Sequence, residues 1–197
     1  MIVLAEAFQE VLAAIDRTET PFLVGGSVAG GTHGLARQTN GIDIVVDLPV
    51  DRVPGFCEAF ESGFYADPDM VLRSVHAGRP FNLIHLAGAI KFDFFPVGDN
   101  AFGRSELARR RVTASTITGL ENIEFPVASP EDTVLAKLVW FRKGGEVSDR
   151  QWHDILGVVN VQSHRLDRSY LDRWAGELGV ADLLRNALPQ EGFRGSS

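Results

Sequence analysis

The stretch Gly25–Asp47, GGSVAGGTHGLARQTNGIDIVVD, decides the reading of this chain. It follows Phe22-Leu23-Val24, three apolar residues after Pro21 that predict a short buried strand. Gly25-Gly26 breaks that strand, and residues 27–35 read as a short helix in spite of their glycines. Gly30 and Gly31 each disfavour a helix by about 1 kcal/mol relative to Ala, so close backbone approach is expected at that surface. Ile42–Asp47 alternates and is β-branched, which predicts a strand with Asp43 inside it. Gly-Ser at a helix N-terminus offers unpaired backbone N–H groups and a hydroxyl to a phosphate. The same turn also serves as a plain turn and cap.

Upstream, residues 2–17 repeat apolar positions at Ile2, Leu4, Phe8, Val11 and Ile15, which predicts an amphipathic helix. Downstream, residues 51–62 read as a helix ending at Gly63. Val71–Val75 and Phe81–Leu86 are expected to form a hairpin across Gly78-Arg79-Pro80. Ala89–Val97 is a further strand, with Lys91, Asp93 and Phe95 on one face and Phe92 and Phe94 on the other. Leu107–Arg111 reads as a basic helical stretch and residues 123–127 as a short strand. The remainder is helical: Glu131–Trp140 after Ser129-Pro130, then Arg150–Val159, Ser169–Leu178 and Ala181–Leu188. The organisation expected is α+β: a core over residues 1–127, a helical segment over 128–190 packed on it, and a disordered tail over 191–197.

Two carboxylates stand out in this frame. Asp43 lies in an otherwise apolar strand and Asp93 in Lys-Phe-Asp-Phe-Phe. Aspartate is a poor strand residue, and a half-buried carboxylate is destabilising unless paired or metal-bound. Two of them on neighbouring strands, beside a phosphate-cradling turn, compose a divalent-metal site with room for nucleotide phosphates. The expectation is a separation within about 6 Å, the range over which carboxylates perturb each other. Each taken singly also reads as the partner of a nearby arginine.

The pattern resembles the nucleotidyltransferase superfamily, the DNA polymerase β-like fold, whose signature is Gly-Ser, a short spacer and Asp-x-Asp. Here Gly26-Ser27, thirteen intervening residues and Gly41-Ile42-Asp43 take those places. Ala29, His33-Gly34, Arg37 and Thr39 are similar to the lead-in of bacterial stand-alone members. Ser129-Pro130-Glu131-Asp132, Lys137 and Asp149 to Asp154 resemble the later helices of the antibiotic-resistance-like and toxin-like branch. The resemblance covers roughly residues 20–160. It implies a small mixed sheet flanked by helices, with Gly26, Ser27, Arg37 and Lys137 at the nucleotide. It implies Asp43 and Asp93 as catalytic Mg²⁺ ligands, and Asp154 helping to deprotonate the acceptor. The implied reaction moves a nucleoside monophosphate from a nucleotide triphosphate to a hydroxyl acceptor, a small molecule, tRNA or protein.

One position departs from the signature. Gly41 stands where the first aspartate of Asp-x-Asp belongs, and Asp47 is about 13 Å further along the strand, too far to replace it. Weak Mg²⁺ binding follows, and with it an alternative: a degenerate relative that binds nucleotide or a partner without catalysis. A toxin with an antitoxin partner is a third reading. Other candidates have bland readings beside the functional ones. Lys137 is a phosphate ligand or a snorkelling surface lysine. His33 is a nucleotide contact or a helix-end histidine bound to backbone. Arg109-Arg110-Arg111 lines a groove or forms a solvated basic turn. Asp149 reads as an N-cap and Asp154 as a base or a salt-bridge partner. Trp152, Tyr170, Leu171 and Trp174 have core spacing.

Composition removes other classes. The chain has 197 residues, 45% of them apolar, enough to bury a core. Its single cysteine, Cys57, excludes an internal disulfide framework and a thiolate zinc cluster. The net charge of -7 argues against nonspecific coating of nucleic acid. Glu6 and Glu10 near the start are unlike a secretory n-region, and no apolar run approaches a membrane span of about 18 residues. A cytoplasmic protein is expected.

Overall fold

A computed structural model describes residues 4–35, 41–60 and 63–188. Arg37 and Thr39, and the tail 191–197, lie outside the described residues. The chain opens with α1 (Leu4–Arg17), β1 (Phe22–Val24), α2 (Gly26–His33) and β2 (Gly41–Val46). A 3-10 turn at Val50–Arg52 leads into α3 (Val53–Glu58), followed by β3 (Phe64–Tyr65) and α4 (Pro68–His76). Next come β4 (Phe81–His85), β5 (Ile90–Pro96), α5 (Ala101–Arg109), β6 (Arg111–Ala114) and β7 (Glu124–Val127). Four helices close the described chain: α6 (Pro130–Lys143), α7 (Asp149–Gln162), α8 (Arg168–Glu177) and α9 (Ala181–Ala187).

The strands form one mixed sheet in the order β3-β4-β5-β2-β1-β7-β6. β2 runs parallel to β5 and β1 parallel to β7, while the other neighbours are antiparallel. The α+β class expected from the sequence is therefore the observed one. Alternation on the central strands sets the layers. Ile42, Ile44, Phe92 and Phe94 are buried on one face, packed with Phe8 of α1 and Phe56 of α3. Their sequence neighbours Gly41, Asp43, Lys91 and Asp93 point to the opposite face. A second cluster gathers Val134, Leu138, Ile155, Val158, Leu171 and Trp174 of α6 to α8, together with Phe102 of α5.

Three expectations need correction. Val71–Val75 is not a hairpin strand but part of α4. Asp67 caps that helix by accepting from the Asp69 and Met70 N–H groups, Pro68 occupies its first turn, and Val71 and Val75 bury one helical face. β4 pairs instead with β3 and β5. The basic stretch is helical only to Arg109, because Arg111 starts β6 and pairs with Val127. The helix expected over 51–62 is split into the 3-10 turn and the short α3.

Candidate functional site

β2 and β5 supply the floor of the site. Their parallel register sets Gly41 opposite Lys91 and Asp43 opposite Asp93. Neighbouring strands stand about 4.8 Å apart, so the two aspartates share one face at close range. The expected juxtaposition on adjacent strands is thus present. Burial pushes the Asp43 carboxyl above its ordinary value, and the charge of Asp93 pushes it the same way. Lys137, the Ser27 N–H donating to the carboxylate and Lys91 act in the opposite sense.

The turn after β1 aims α2 at Asp43. The Gly25 N–H donates to the Asp43 carbonyl at 2.9 Å, which pins the turn against β2. Gly26 has φ +56°, a left-handed conformation that side chains disfavour. A Cβ there would lie 1.7 Å from Asp43 Oδ2. Glycine is therefore required twice over, by backbone geometry and by the carboxylate packed on it. Ser27 sits in the first turn of α2, as expected, with its N–H on Asp43.

Helices α6 and α7 face this floor. Lys137 Nζ is 3.1 Å from Asp154 Oδ2, with both side chains mostly buried. The snorkelling reading of Lys137 does not fit its 12% side-chain exposure. Its stem crosses α2 at Gly30, where a Cβ would come within 2.7 Å of Cε. At Gly30 the expected close approach is the passage of this lysine. Between floor and helices lies a cavity of about 860 Å³ lined by Gly26, Ser27, Asp43, Asp93, Lys137 and Asp154. That volume suits a nucleotide with space beside it. Lys91, Lys143 and Arg150 add positive charge, and Trp140, half exposed, meets Phe95 edge-on at 5.7 Å at the same cavity.

Several sequence candidates belong to the scaffold. His33 is bonded through Nε2 to the Ala128 carbonyl at 2.6 Å, and burial lowers its pKa, so the neutral ring donates there. Ser129 caps α6 and also donates to Asp132 Oδ2 at 2.6 Å. Arg109 reaches Glu131 at 2.9 Å and Asp132 at 3.4 Å, and its guanidinium lies 3.9 Å over the Tyr170 ring. The Tyr170 hydroxyl donates to Asp132, and burial, then this bond, pushes its pKa up. Arg109 is thus neither groove nor solvated turn but the clasp between α5 and α6. Tyr170 keeps core spacing yet makes polar bonds.

The sequence reading passed over three groups. Lys91 shares a strand face with Asp93, and a spacing of two puts their heads together: Nζ is 2.9 Å from Asp93 Oδ2. Phe95 and Trp140 meet only through tertiary packing. Glu106 of α5 lines the cavity at 7% exposure, its pKa raised well above the ordinary value by burial and by Asp132. Nothing in its sequence neighbourhood signals that burial.

The donor set bears on a metal. Asp43 and Asp93 suit one divalent cation carried in on a phosphate tail. They do not suit two. Gly41 brings no side-chain oxygen, Lys91 already leans on Asp93, and no group of three or more His, Cys, Asp or Glu among the described residues is placed around an ion.

No known family matches the sequence, and no curated protein matches it. Solved structures do match. The fold is similar to that of ANT(2'')-Ia in complex with adenylyl-2''-tobramycin, at TM-score 0.54 and 15% identity, covering 89% of this chain and 96% of that one. It is also similar to the lincomycin-bound lincosamide antibiotic adenylyltransferase LnuA, at TM-score 0.51 and 15% identity, covering 81% of this chain and 98% of that one. Identities this low speak to architecture. The chain has the nucleotidyltransferase fold.

Proposed function

We propose that this chain transfers a nucleoside monophosphate from a nucleoside triphosphate to a hydroxyl acceptor. The observation that carries the reading is the register pair Asp43–Asp93 facing the N-terminus of α2 at Gly26-Ser27, with Lys137 across the cavity. In that arrangement the positive N-terminal end of α2, the Ser27 hydroxyl and the Lys137 ammonium bind the phosphate tail. The acceptor oxygen bonds to the α-phosphorus, the bridging bond to the β-phosphate breaks, and pyrophosphate leaves. The acceptor proton passes to Asp154, which opens on the same cavity. A Mg²⁺ ion arriving with the nucleotide would be held by Asp43 and Asp93 and would neutralise phosphate charge. Trp140 and Phe95 offer the base an aromatic face. ANT(2'')-Ia and LnuA, whose structures hold adenylyl-tobramycin and lincomycin, support a small-molecule acceptor.

Gly41 favours a second reading, in which nucleotide binds and transfer is slow or lost. The toxin reading and an antitoxin partner draw on no feature of this site.

The test is radiolabel transfer from each of the four α-labelled nucleoside triphosphates, with Mg²⁺, to a panel of aminoglycosides, lincosamides and bulk tRNA. Transfer by wild type that falls at least 100-fold in Asp93→Asn is the expected result, the scale of losing one transition-state electrostatic contact. Nucleotide binding without transfer, with transfer appearing in Gly41→Asp, would establish the second reading. Wild type that neither binds nor transfers any nucleotide would refute both.

A further inference from the structure

The corner of the site left open by Gly41 faces a cation. In the register of β2 and β5, Gly41 is the direct partner of Lys91, one pleat before the Asp43–Asp93 pair. The four positions form a square on one sheet face: a residue without a side chain, a lysine and two aspartates. A Cβ at residue 41 would meet nothing closer than the Lys91 carbonyl at 3.4 Å, so glycine is not enforced there by crowding. The Lys91 ammonium lies 2.9 Å from Asp93 Oδ2 and its charge also offsets that of Asp43. Its side chain is 53% exposed, so the head leans on Asp93 while open to the cavity it helps to line. Gly41 brings no carboxylate to this corner, and a positive charge stands beside it.

Charge balance points the same way. Asp43, Asp93, Asp154 and the buried Glu106 line the cavity against Lys91, Lys137, Lys143 and Arg150, so the chain itself brings four cations to a triphosphate seated there. A triphosphate needs its charge neutralised, and an ammonium supplies three donors at fixed charge without shedding a hydration shell as reluctantly as Mg²⁺ does.

We propose that the Lys91 ammonium takes the place of a divalent cation at the phosphate tail, bridging Asp93 and a phosphate oxygen, so that this site binds the triphosphate without requiring a divalent ion. The proposal rests on the nucleotide reading given above and adds to it the identity of the missing cation.

Calorimetry with α,β-methylene-ATP, and with inorganic tripolyphosphate as a base-free probe, tests this in EDTA and in Mg²⁺. Wild type should bind in EDTA within about tenfold of its affinity in Mg²⁺, the margin that a charged contact of about 1.4 kcal/mol represents. Lys91→Met should lose at least tenfold in EDTA and less in Mg²⁺, where the ion compensates. Lys91→Arg should retain binding in EDTA. Because Lys91 is half exposed, thermal melts of both variants are expected to track wild type, and the wild-type EDTA measurement needs no variant. Wild-type binding that requires Mg²⁺, or Lys91→Met binding like wild type in EDTA, would overturn the lysine assignment and leave the nucleotide reading standing. Absence of binding to either probe under both conditions would overturn the nucleotide reading itself, and this inference with it.

Discussion

Gly26 shows how one residue holds the two halves of the site together. Its positive φ turns the chain from β1 into α2, and its missing side chain is the space into which Asp43 Oδ2 fits. A strained non-glycine backbone is destabilising by about 1–3 kcal/mol before any clash is counted. Here the clash is with a carboxylate that cannot retreat into a packed sheet. Gly26→Ala is therefore expected to lower stability by at least 2 kcal/mol, within about that strain range, and to abolish nucleotide binding by displacing Asp43. Urea unfolding and calorimetry on the same sample check both. Loss of stability with binding intact would mean that Asp43 does not face the ligand. The neighbouring Gly25→Ala, where an added Cβ meets nothing within 4 Å, is the matched control.

At the scale of elements, the junction of α5, α6 and α8 is polar where its surroundings are apolar. Glu131 and Asp132, in the first turn of α6, are almost fully buried and carry Arg109 of α5 between them. Tyr170 of α8 closes the cluster with a bond to Asp132 and another to Ser105 at 2.9 Å. Glu131 also accepts from the Asp167 N–H at the start of α8, so one carboxylate ties two helices to a third. Replacing a buried ion pair by apolar groups is often neutral, whereas removing one partner strands the other charge and is destabilising by about 3–5 kcal/mol. Arg109→Ala is expected to fall in that range by chemical denaturation. Tyr170→Phe, which removes one donor and keeps the ring under Arg109, is expected to lose about 1–2 kcal/mol. Equal losses in the two variants would show that the guanidinium contributes through packing rather than charge.

For the whole molecule, Glu106 couples folding to pH. Burial, then the charge of Asp132, raises its pKa well above 4.5. The folded chain then keeps a proton that the unfolded chain releases. For such a group stability is fullest below the unfolded pKa and declines as pH rises toward the folded value. Asp43 and Asp132 are raised as well, so they bend the profile in the same direction. Glu106→Gln isolates one contribution, since an amide of the same shape does not titrate. Its melting temperature is expected to match or trail wild type near pH 4.5 and to exceed it increasingly toward neutrality. A difference constant across pH would mean that Glu106 is ionised in the fold.

The amphipathic α1, the buried β1, the alternation of β2 and β5 and the Ser-Pro start of α6 were legible in the sequence, because each is a local rule of spacing or capping. So was the pairing of a Gly-Gly-Ser turn with Asp43, which lies close along the chain. Val71–Val75 is ambiguous by pattern, because apolar positions in so short a run do not separate helix from strand; the cap at Asp67-Pro68 is the signal that does. Tertiary structure alone decided the rest. It brought Trp140 to Phe95, ran Lys137 across Gly30, buried Glu106 and drew Arg109 out of the basic run onto Glu131 and Asp132. These depend on which helix packs on which sheet face, and a long-range contact leaves no period in the sequence. The register of β2 against β5 is the decisive case. Spacing places Lys91 and Asp93 on one face of their strand and Gly41 and Asp43 on one face of theirs. That Lys91 stands opposite Gly41, and so beside the missing carboxylate, was fixed only when the two strands hydrogen-bonded in that alignment.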